Sequence, residues 1–329
     1  MDRLFIINSK GSKRTARFFR RNQAQLQAAF AGCEFLPVDA AKLQGLESYQ
    51  EFDQLVLIGD DAFFHQAVNQ FHGALLERNG QQSYAFIPDH KDGSVACCLE
   101  LPSSLKGQIE LLKKSPTLPF DLIRCHCIGT DGLPTNHLIL NDALIRMPQL
   151  KLPLLFKTLV SWFRTYSGLF DRRTPTRITL FEKGEKRFEG HYLYAILLLG
   201  NKITDGPRLS HKRRFLQKRF AYYQLNGQDL IRSTANLAQL FADDGEENPN
   251  LFRGQFSDLE IRGLGDENTI VADGVPLGRL PASFTLLPKA LNVVSPMTPV
   301  QKLEPAGVEL GKAVKTVGNL RMKNPPMGA

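Results

Sequence analysis

The sequence lacks an apolar run of the length, roughly 18 to 20 residues, that a membrane-spanning helix needs. The longest candidate, residues 192–199, has only the length of a strand. Near the start, a short apolar run at residues 4–7 precedes the basic cluster, which reverses the order found in a secretory signal. We therefore expect a cytoplasmic protein that does not span a membrane.

Cysteine is scarce, and its distribution argues against a disulfide framework or a zinc site. The five cysteines are odd in number and lack the spacing of metal ligands. Cys97 and Cys98 are adjacent, and Cys125 and Cys127 lie two residues apart on a predicted strand. We interpret all five as small buried apolar residues. The seven histidines are scattered, so no metal site is predicted.

Acidic residues are outnumbered, with 33 Asp and Glu against 41 Lys and Arg, which gives a net charge of +8. This excess indicates an anionic partner, and charge alone leaves open whether that partner is a phosphate compound, a nucleic acid or an acidic membrane surface. The sequence has neither the aromatic signature of RNA-binding sheets nor a Gly-x-x-Gly clamp in a basic context. A nucleic-acid partner is therefore not expected.

The first 125 residues alternate between strand-like and helix-like segments. The predicted strands are 4–8, 34–38, 54–58 and 84–88, and the predicted helices are 15–31 and 61–71. Such alternation predicts a parallel sheet with helices on both faces. Ligands of these sheets bind beyond the carboxyl ends of the strands, so the turns after Asn8, Ile58 and Pro88 are candidate ligand contacts.

After about residue 120 the pattern becomes rich in strands. It predicts an antiparallel β-sandwich domain at residues 126–296, which follows an α/β domain at residues 1–125 and precedes a basic, partly ordered tail at 297–329. Helices are predicted at 152–166 and 234–241, and a hairpin turn at Lys183-Gly184. The predicted strands are 121–128, 137–141, 177–181, 189–199, 221–225 and 259–261.

Residues 52–71, FDQLVLIGDDAFFHQAVNQF, combine a buried strand, a tight turn and a helix. This segment resembles the diacylglycerol kinase catalytic-domain family, which includes bacterial lipid kinases and the sphingosine and ceramide kinases. In that family the strand leads into Gly-Gly-Asp-Gly-Thr and then an Asn-Glu pair. Gly59 and Asp61 match this pattern, whereas Asp60, Ala62 and Phe63 replace its second Gly, third Gly and Thr. His65 and Gln66 take the places of the Asn-Glu pair, and Asn69 matches a later Asn.

Three further segments carry the same resemblance in the same order. Residues 88–102, PDHKDGSVACCLELP, resemble the family's Pro-Leu-Gly-Thr-Gly-Asn-Asp turn and its Leu-Gly-Leu-Pro, with His90 and Lys91 among the replacements. In residues 271–296, Asp273 and Gly274 match the closing Asp-Gly-Glu, and Val275 takes the place of Glu. At the start, Asn8, Ser9 and Gly11 resemble the family's Asn-Pro-x-Ser-Gly turn without its proline.

The resemblance implies a fold and a chemistry. The N-terminal domain would be like that of NAD kinase and phosphofructokinase, and the C-terminal β-sandwich would bind a lipid. In an active enzyme, Asp273 would be the general base on the lipid hydroxyl, ATP and Mg²⁺ would be the cofactors, and Asp61 would be among the nucleotide and metal contacts. The implied nucleotide contacts are Asn8, Ser9, Gly59, Asp60, Asp61, Ala62, Phe63, His90 and Lys91.

The substitutions predict that this nucleotide site has decayed. A Gly-rich turn holds phosphate because its backbone N–H groups approach closely. The Asp60 carboxylate would repel a phosphate about 4 Å away by about 4 kcal/mol at an effective dielectric near 20. The Phe63 ring would obstruct phosphate, and Lys91 offers the only local compensation. We predict a lipid-binding descendant whose phosphorylation of lipid is reduced or lost, and the alternative is an active lipid kinase.

Simpler interpretations stay open beside these. Gly59-Asp60-Asp61 is also what a strand-to-helix turn with an Asp N-cap looks like, and Asp273-Gly274 is typical of a hairpin turn. A small-molecule kinase of the NAD-kinase type is disfavoured by the loss of Asn-Glu at His65-Gln66.

A basic segment at residues 208–219 contains six cations and Phe215, and Phe220 follows it directly. At helical spacing it is suited to an anionic membrane surface, which we predict as the partner together with a lipid, on the inner face of the membrane. The alternative is a solvated charged face with Phe215 and Phe220 in the core. The oligomeric state stays open, with a homodimer as one alternative. The predicted membrane contacts are Arg208, Lys212, Arg213, Arg214, Lys218 and Arg219.

Overall fold

The computed structural model describes residues 2–43, 49, 51–75, 82–90, 93–146, 176–192, 194–200, 202–204, 218–225, 251–263 and 268–297. The two helices predicted at 152–166 and 234–241 lie outside these residues, as does the predicted tail from residue 298 onward.

The N-terminal half alternates strands and helices as the periodicity predicts. Its strands are β1 (Arg3–Ile7), β2 (Glu34–Pro37), β3 (Gln54–Gly59) and β4 (Ser83–Pro88). Its helices are α1 (Lys13–Ala29), α2 (Asp61–Leu75), α3 (Ser94–Cys98) and α4 (Leu105–Lys114), with a 3-10 helix at Ala40–Lys42. The predicted elements are confirmed within a few residues, and α3 and α4 are additions to them.

These strands form a parallel sheet that has helices on both faces. Strands β3 and β4 are buried along their whole length, and their sequences are therefore nearly continuous apolar runs. Along β1 the side chains alternate, so that Phe5 and Ile7 pack in the cluster of α1 and α4. Leu4 and Ile6 pack with α2 in the other cluster. Both faces of the sheet are therefore covered.

The second half of the described chain is dominated by antiparallel strands, as predicted. The predicted strand at 189–199 is two strands, and the hairpin turn at Lys183-Gly184 is confirmed by φ angles of 52° and 81°. The strands are β5 (Thr117–Gly129), β6 (Pro134–Ile139), β7 (Asp142–Arg146), β8 (Thr176–Glu182), β9 (Glu185–Tyr192), β10 (Tyr194–Leu198), β11 (Phe220–Leu225), β12 (Leu251–Phe256), β13 (Asp258–Gly263), β14 (Thr269–Ala272) and β15 (Val275–Val294).

One hydrogen-bonded sheet joins the two halves of the described chain. Strand β15 is 20 residues long and pairs in an antiparallel sense with β14, β13 and β5. Near its end it pairs in parallel with β4, with Asn292 opposite Ser83. The predicted boundary at residue 125 falls inside β5. The parallel and antiparallel strands thus form one mixed sheet, and the division into domains stays a prediction.

Asn69 of α2 connects the helix to β6. Its amide nitrogen donates to the carbonyl of Leu138 at 2.8 Å, and its side-chain oxygen accepts from the Leu138 N–H at 2.7 Å. Within the described chain β6 pairs only with β5, so its other edge would leave these backbone groups unpaired. Asn69 therefore closes an open strand edge and positions α2 against it.

Replacing Asn69 by Ala should lower the free energy of unfolding by about 2 kcal/mol, because two backbone groups of Leu138 lose their partner. Asn22→Ala is the matched control, since Asn22 donates only to the Phe18 carbonyl within α1. Urea denaturation of the two variants measures the difference. Equal losses would contradict the assigned role of Asn69.

Candidate functional site

The carboxyl ends of β1, β3 and β4 lie at one edge of the sheet, because the three strands are parallel neighbours. This edge carries Asn8 and Ser9 after β1, the turn Gly59–Phe63 after β3, and His90 after β4. Three of the motif segments are thus brought together as expected. Lys91 lies outside the described residues.

Asp60 caps the helix that follows the turn. Its side-chain Oδ1 accepts a hydrogen bond from the backbone N–H of Phe63 at 2.9 Å, at the start of α2. The N-cap interpretation left open from the sequence is confirmed. The carboxylate therefore takes a backbone donor at a helix N-terminus, which is where a phosphate would otherwise bind.

Phe63 is a core residue, and this corrects the expectation that its ring obstructs a ligand. Its side chain is 1% exposed and belongs to the cluster on the α2 face of the sheet. The ring packs against Gly59, where an added Cβ would come within 2.5 Å of it. The ring therefore lies in the core beside the turn and does not project into solvent.

Asp61 holds the start of α3. Its carboxylate accepts from the backbone N–H and the hydroxyl of Ser94, at 2.6 and 2.9 Å, and from the N–H of Val95 at 3.3 Å. Burial raises the pKa of Asp61 above its usual range, and the hydrogen bonds from Ser94 act in the opposite direction. Asp60 and Asp61 together thus occupy backbone donors at the starts of α2 and α3.

Asp273 lies in the turn between β14 and β15, with φ of 48° for Asp273 and 83° for Gly274. The hairpin interpretation is therefore correct, and the side chain has a further role. Its carboxylate, 0% exposed, accepts a hydrogen bond from His65 Nδ1 at 2.9 Å. It also accepts from the backbone N–H groups of Leu140, Asn141 and Asp142, at 2.8, 2.9 and 3.1 Å.

This arrangement bears on the role implied for Asp273. A general base needs an oxygen within hydrogen-bond reach of the substrate hydroxyl. Both oxygens of Asp273 are occupied by donors of the chain itself and have no exposed surface. In the described conformation the carboxylate fixes β14 to the segment between β6 and β7. The catalytic role stays a prediction.

A buried polar chain connects Asp273 to the β3–α2 turn. The hydroxyl of Thr204 donates to Asp142 Oδ1 at 2.5 Å and lies 2.8 Å from the hydroxyl of Ser94, which is bonded to Asp61. A Cβ added at Gly274 would lie 3.5 Å from Thr204 and 3.9 Å from Ala62. The turn after β3 and the turn after β14 therefore meet across Thr204.

Among the carboxyl groups of this chain of contacts, Asp142 is the one whose pKa is raised most strongly. Burial raises its pKa to about 8, and repulsion from Asp273 acts in the same direction. Hydrogen bonds from Thr204 and Asn141 oppose these effects. No sequence motif singled out Asp142 or Thr204, whereas Ser94 is one of the replacements in the segment at residues 88–102. The one available signal for Asp142 was its position directly after the predicted strand 137–141.

The other predicted nucleotide contacts make structural hydrogen bonds. Asn8 is buried, and its Oδ1 accepts from the N–H of Ala40 at 3.2 Å, which ties the end of β1 to the 3-10 helix. His90 Nδ1 lies 3.0 Å from Asp89 Oδ1, and Asp89 also accepts from Thr15 at 2.8 Å. Burial alone would raise the pKa of Asp89, but the hydrogen bonds from His90 and Thr15 lower it on balance.

The basic segment is described only at its end. Lys218 and Arg219 are exposed, and Arg219 donates to the carbonyl of Gln255 at 3.4 Å. Arg208, Lys212, Arg213 and Arg214 lie outside the described residues. Phe220 is buried against Phe256, as the alternative interpretation expected for that residue. No helix within the described ranges combines the length and apolar character that crossing a membrane requires.

Backbone donors at the starts of α2 and α3 are occupied here by carboxylates. Asp60 takes the N–H of Phe63, and Asp61 takes the N–H groups of Ser94 and Val95. These residues do not fit a triphosphate with Mg²⁺ in the described conformation, because the donors are used and two carboxylates would face the anion.

Comparison with solved structures identifies the fold. A crystal structure provisionally assigned as a diacylglycerol kinase from Bacillus anthracis str. Sterne has a TM-score of 0.69 at 14% identity, and the match covers 89% of this chain and 97% of that chain. Another structure, of a diacylglycerol kinase from the same organism, has a TM-score of 0.64 at 15% identity, with coverage of 89% and 96%. No family model and no curated protein matches the sequence.

These matches define a chain with the fold of diacylglycerol kinases. The resemblance that the motifs indicated is therefore confirmed at the level of the fold.

Stability should depend on pH through Asp142. Because the pKa of Asp142 is about 8 in the folded protein and about 3.9 in an unfolded chain, the folded state binds more protons between these two pH values. The free energy of unfolding should therefore fall as pH rises from 4 to 8, by at most about 1.4 kcal/mol per pH unit. Asp142→Asn should flatten this dependence.

Urea denaturation at pH 5 and pH 8 tests this expectation. The free energy of unfolding of Asp142→Asn, relative to wild type, should be about 2 kcal/mol higher at pH 8 than at pH 5. The control is Glu34→Gln, at an exposed position of β2, which should keep the wild-type dependence. An unchanged pH dependence in the Asp142 variant would contradict the assignment.

Proposed function

We propose that this chain is a lipid-kinase-family protein that binds a lipid at a membrane surface and has reduced or lost the ability to phosphorylate it with ATP. The fold of the diacylglycerol kinases supports the family. The observation that carries the loss of activity is that the carboxylates of Asp60 and Asp61 occupy backbone donors at the starts of α2 and α3.

Carboxylates of the chain compete with phosphate for the same backbone donors. Backbone N–H groups at a helix N-terminus bind one anion well, and a carboxylate of the same chain is always present at high effective concentration. Phosphate would have to displace Asp60 and then lie beside its charge. Each step lowers affinity, so we expect Mg-ATP to bind weakly or not at all.

The same reasoning extends to the lipid hydroxyl. In the active alternative, ATP and Mg²⁺ would be held at residues 59–63 and the carboxylate of Asp273 would accept the proton of the lipid hydroxyl. That role requires Asp273 to release some of the N–H donors of Leu140, Asn141 and Asp142. Burying those donors without a partner would cost free energy, which supports the non-catalytic proposal.

Two measurements on the purified protein separate the alternatives. Mass spectrometry of the lipids that co-purify identifies the bound class, and we expect a lipid with a free hydroxyl group. Incubation with that lipid and Mg-ATP then tests for phosphoryl transfer. Phosphorylated lipid produced at a sustained rate would establish the active alternative, and the absence of any bound lipid would refute the lipid-binding proposal.

Asp60→Gly should raise the affinity for Mg-ATP about tenfold, because it removes one charge and frees the N–H of Phe63. Asp60→Asn is the matched control, because it removes the charge and keeps an N-cap. Its affinity for Mg-ATP should rise less than that of Asp60→Gly. Phe63→Thr should not raise the affinity for Mg-ATP, and it should lower the free energy of unfolding, because the ring of Phe63 is buried in the core.

Calorimetric titration of each variant with Mg-ATP measures these affinities. If the wild-type protein binds Mg-ATP tightly and Asp60→Gly weakens that binding, the turn is functional and the proposed loss is wrong.

The basic segment should bind anionic vesicles in a salt-sensitive manner, because screening shortens to about 8 Å at physiological ionic strength. Replacing Arg208, Lys212, Arg213 and Arg214 by Gln should abolish co-sedimentation with phosphatidylserine vesicles. The control replaces four exposed cations of α1 by Gln, which gives the same change in net charge. Equal loss in the control, or equal sedimentation with neutral vesicles, would refute a specific role for the segment. The control residues are Lys13, Arg17, Arg20 and Arg21.

A further inference from the structure

The net charge of the chain is concentrated on the two helices, α1 and α4, that cover one face of the parallel sheet. Helix α1 carries five cations and no acidic residue, and α4 carries three cations and one acidic residue. Together they hold +7 of the chain's net charge of +8, and all eight cations are exposed. Both helices pack in the cluster that contains Phe5 and Ile7, so this face of the sheet is strongly basic.

The five cations of α1 form a stripe along its outer face, which we call the α1 stripe. At 3.6 residues per turn they fall within an arc of about 120°, and the first and last are about 12 Å apart along the helix axis. The buried residues Thr15, Phe19 and Leu26 lie on the opposite side, so packing in the core fixes the direction of the stripe. The residues of the α1 stripe are Lys13, Arg14, Arg17, Arg20 and Arg21.

The charge of the α1 stripe has little compensation within the part of the chain that the structure describes. Arg14 lies 3.6 Å from Asp89, and none of the other four cations forms an ion pair with a described residue. Cations four residues apart on a helix repel one another, as Lys13, Arg17 and Arg21 do, and Lys13 also lies at the positive end of the helix dipole. The stripe therefore destabilises α1, and an external anion would remove that cost.

We propose that the α1 stripe binds the phosphate backbone of a nucleic acid without reading its sequence. Four of the five cations are arginines, whose planar guanidinium groups form paired hydrogen bonds with phosphate oxygens. A row of cations along one helix is the electrostatic footprint of such binding. Phosphate contacts carry no sequence information, so they need none of the base-reading motifs that the sequence lacks. The site does not depend on the proposed lipid function.

A membrane surface suits the α1 stripe less well. Helices that lie in a bilayer interface bury an apolar face among the lipids. In α1 the large apolar residues Phe19 and Leu26 are buried in the protein core, and the exposed apolar residues are two alanines, Ala24 and Ala28. Contacts between cations and phosphate groups therefore have to supply the binding. A nucleic acid offers them densely, with one charge per about 1.7 Å of duplex axis.

Fluorescence anisotropy of the full-length protein with a labelled DNA duplex measures this binding. Five phosphate contacts predict a slope of about −4.5 for the logarithm of the binding constant against the logarithm of the salt concentration. Replacing Lys13, Arg17, Arg20 and Arg21 by Gln should weaken binding at least about a hundredfold and reduce the slope to about −1. Arg14 is kept because it contacts Asp89. The melting temperature should stay equal or rise, because like charges are removed from one helix.

The control variant replaces four exposed cations of the β8–β9 hairpin and β13 by Gln, which gives the same change in net charge. It should bind DNA as the wild-type protein does. Unchanged DNA binding in the α1 variant, equal weakening in the control, or no binding by the wild-type protein at low salt would each overturn the proposal. If the α1 variant loses binding to phosphatidylserine vesicles to the same extent, the stripe is a membrane contact and the proposal is wrong. The control residues are Lys183, Lys186, Arg187 and Arg262.

Discussion

The site is organised by aspartate carboxylates that accept hydrogen bonds from backbone N–H groups. Asp60 and Asp61 do so at the starts of α2 and α3, and Asp273 does so for three consecutive residues before and in β7. Asp121 holds the N–H of Lys289 in the same way, at 2.7 Å. Hydrogen bonds to a charged acceptor are stronger than neutral ones, and they need no bound ligand to persist. The chain thus supplies internally the anions that a phosphate-binding edge would take from solution.

The use of several buried carboxylates as acceptors has an electrostatic cost. Asp61, Asp142 and Asp273 lie near one another in a buried region. Burial raises the pKa values of Asp61 and Asp142, and repulsion from Asp273 adds to this effect. The hydroxyls of Ser94 and Thr204 lie between the carboxyl groups and donate to them. Removing one hydroxyl would leave the remaining carboxylates less well solvated, so these two small residues connect the stability of the two halves of the sheet.

Part of this structure could be predicted from the sequence, for identifiable reasons. Strands β1, β3 and β4 are buried in a parallel sheet and are therefore continuous apolar runs, and the turns Lys183-Gly184 and Asp273-Gly274 contain residues that accept positive φ. Helix α3 has only five residues, and β15 contains glycine and prolines that resemble turns. The contact of His65 with Asp273 joins positions 208 residues apart, which local patterns cannot indicate. The inward position of Phe63 depends on Gly59 leaving room for the ring.

The late pairing of β15 with β4 has a consequence for synthesis on the ribosome. Strand β4 has β3 on one side, and its other side is covered by Asn292 and Val293. The first half of the chain therefore emerges with an unpaired strand edge that stays open until almost all of the described residues have been made. Open edges recruit other strands, so nascent chains of this protein would be prone to associate with one another. A fragment that ends before β15 would keep that hazard permanently.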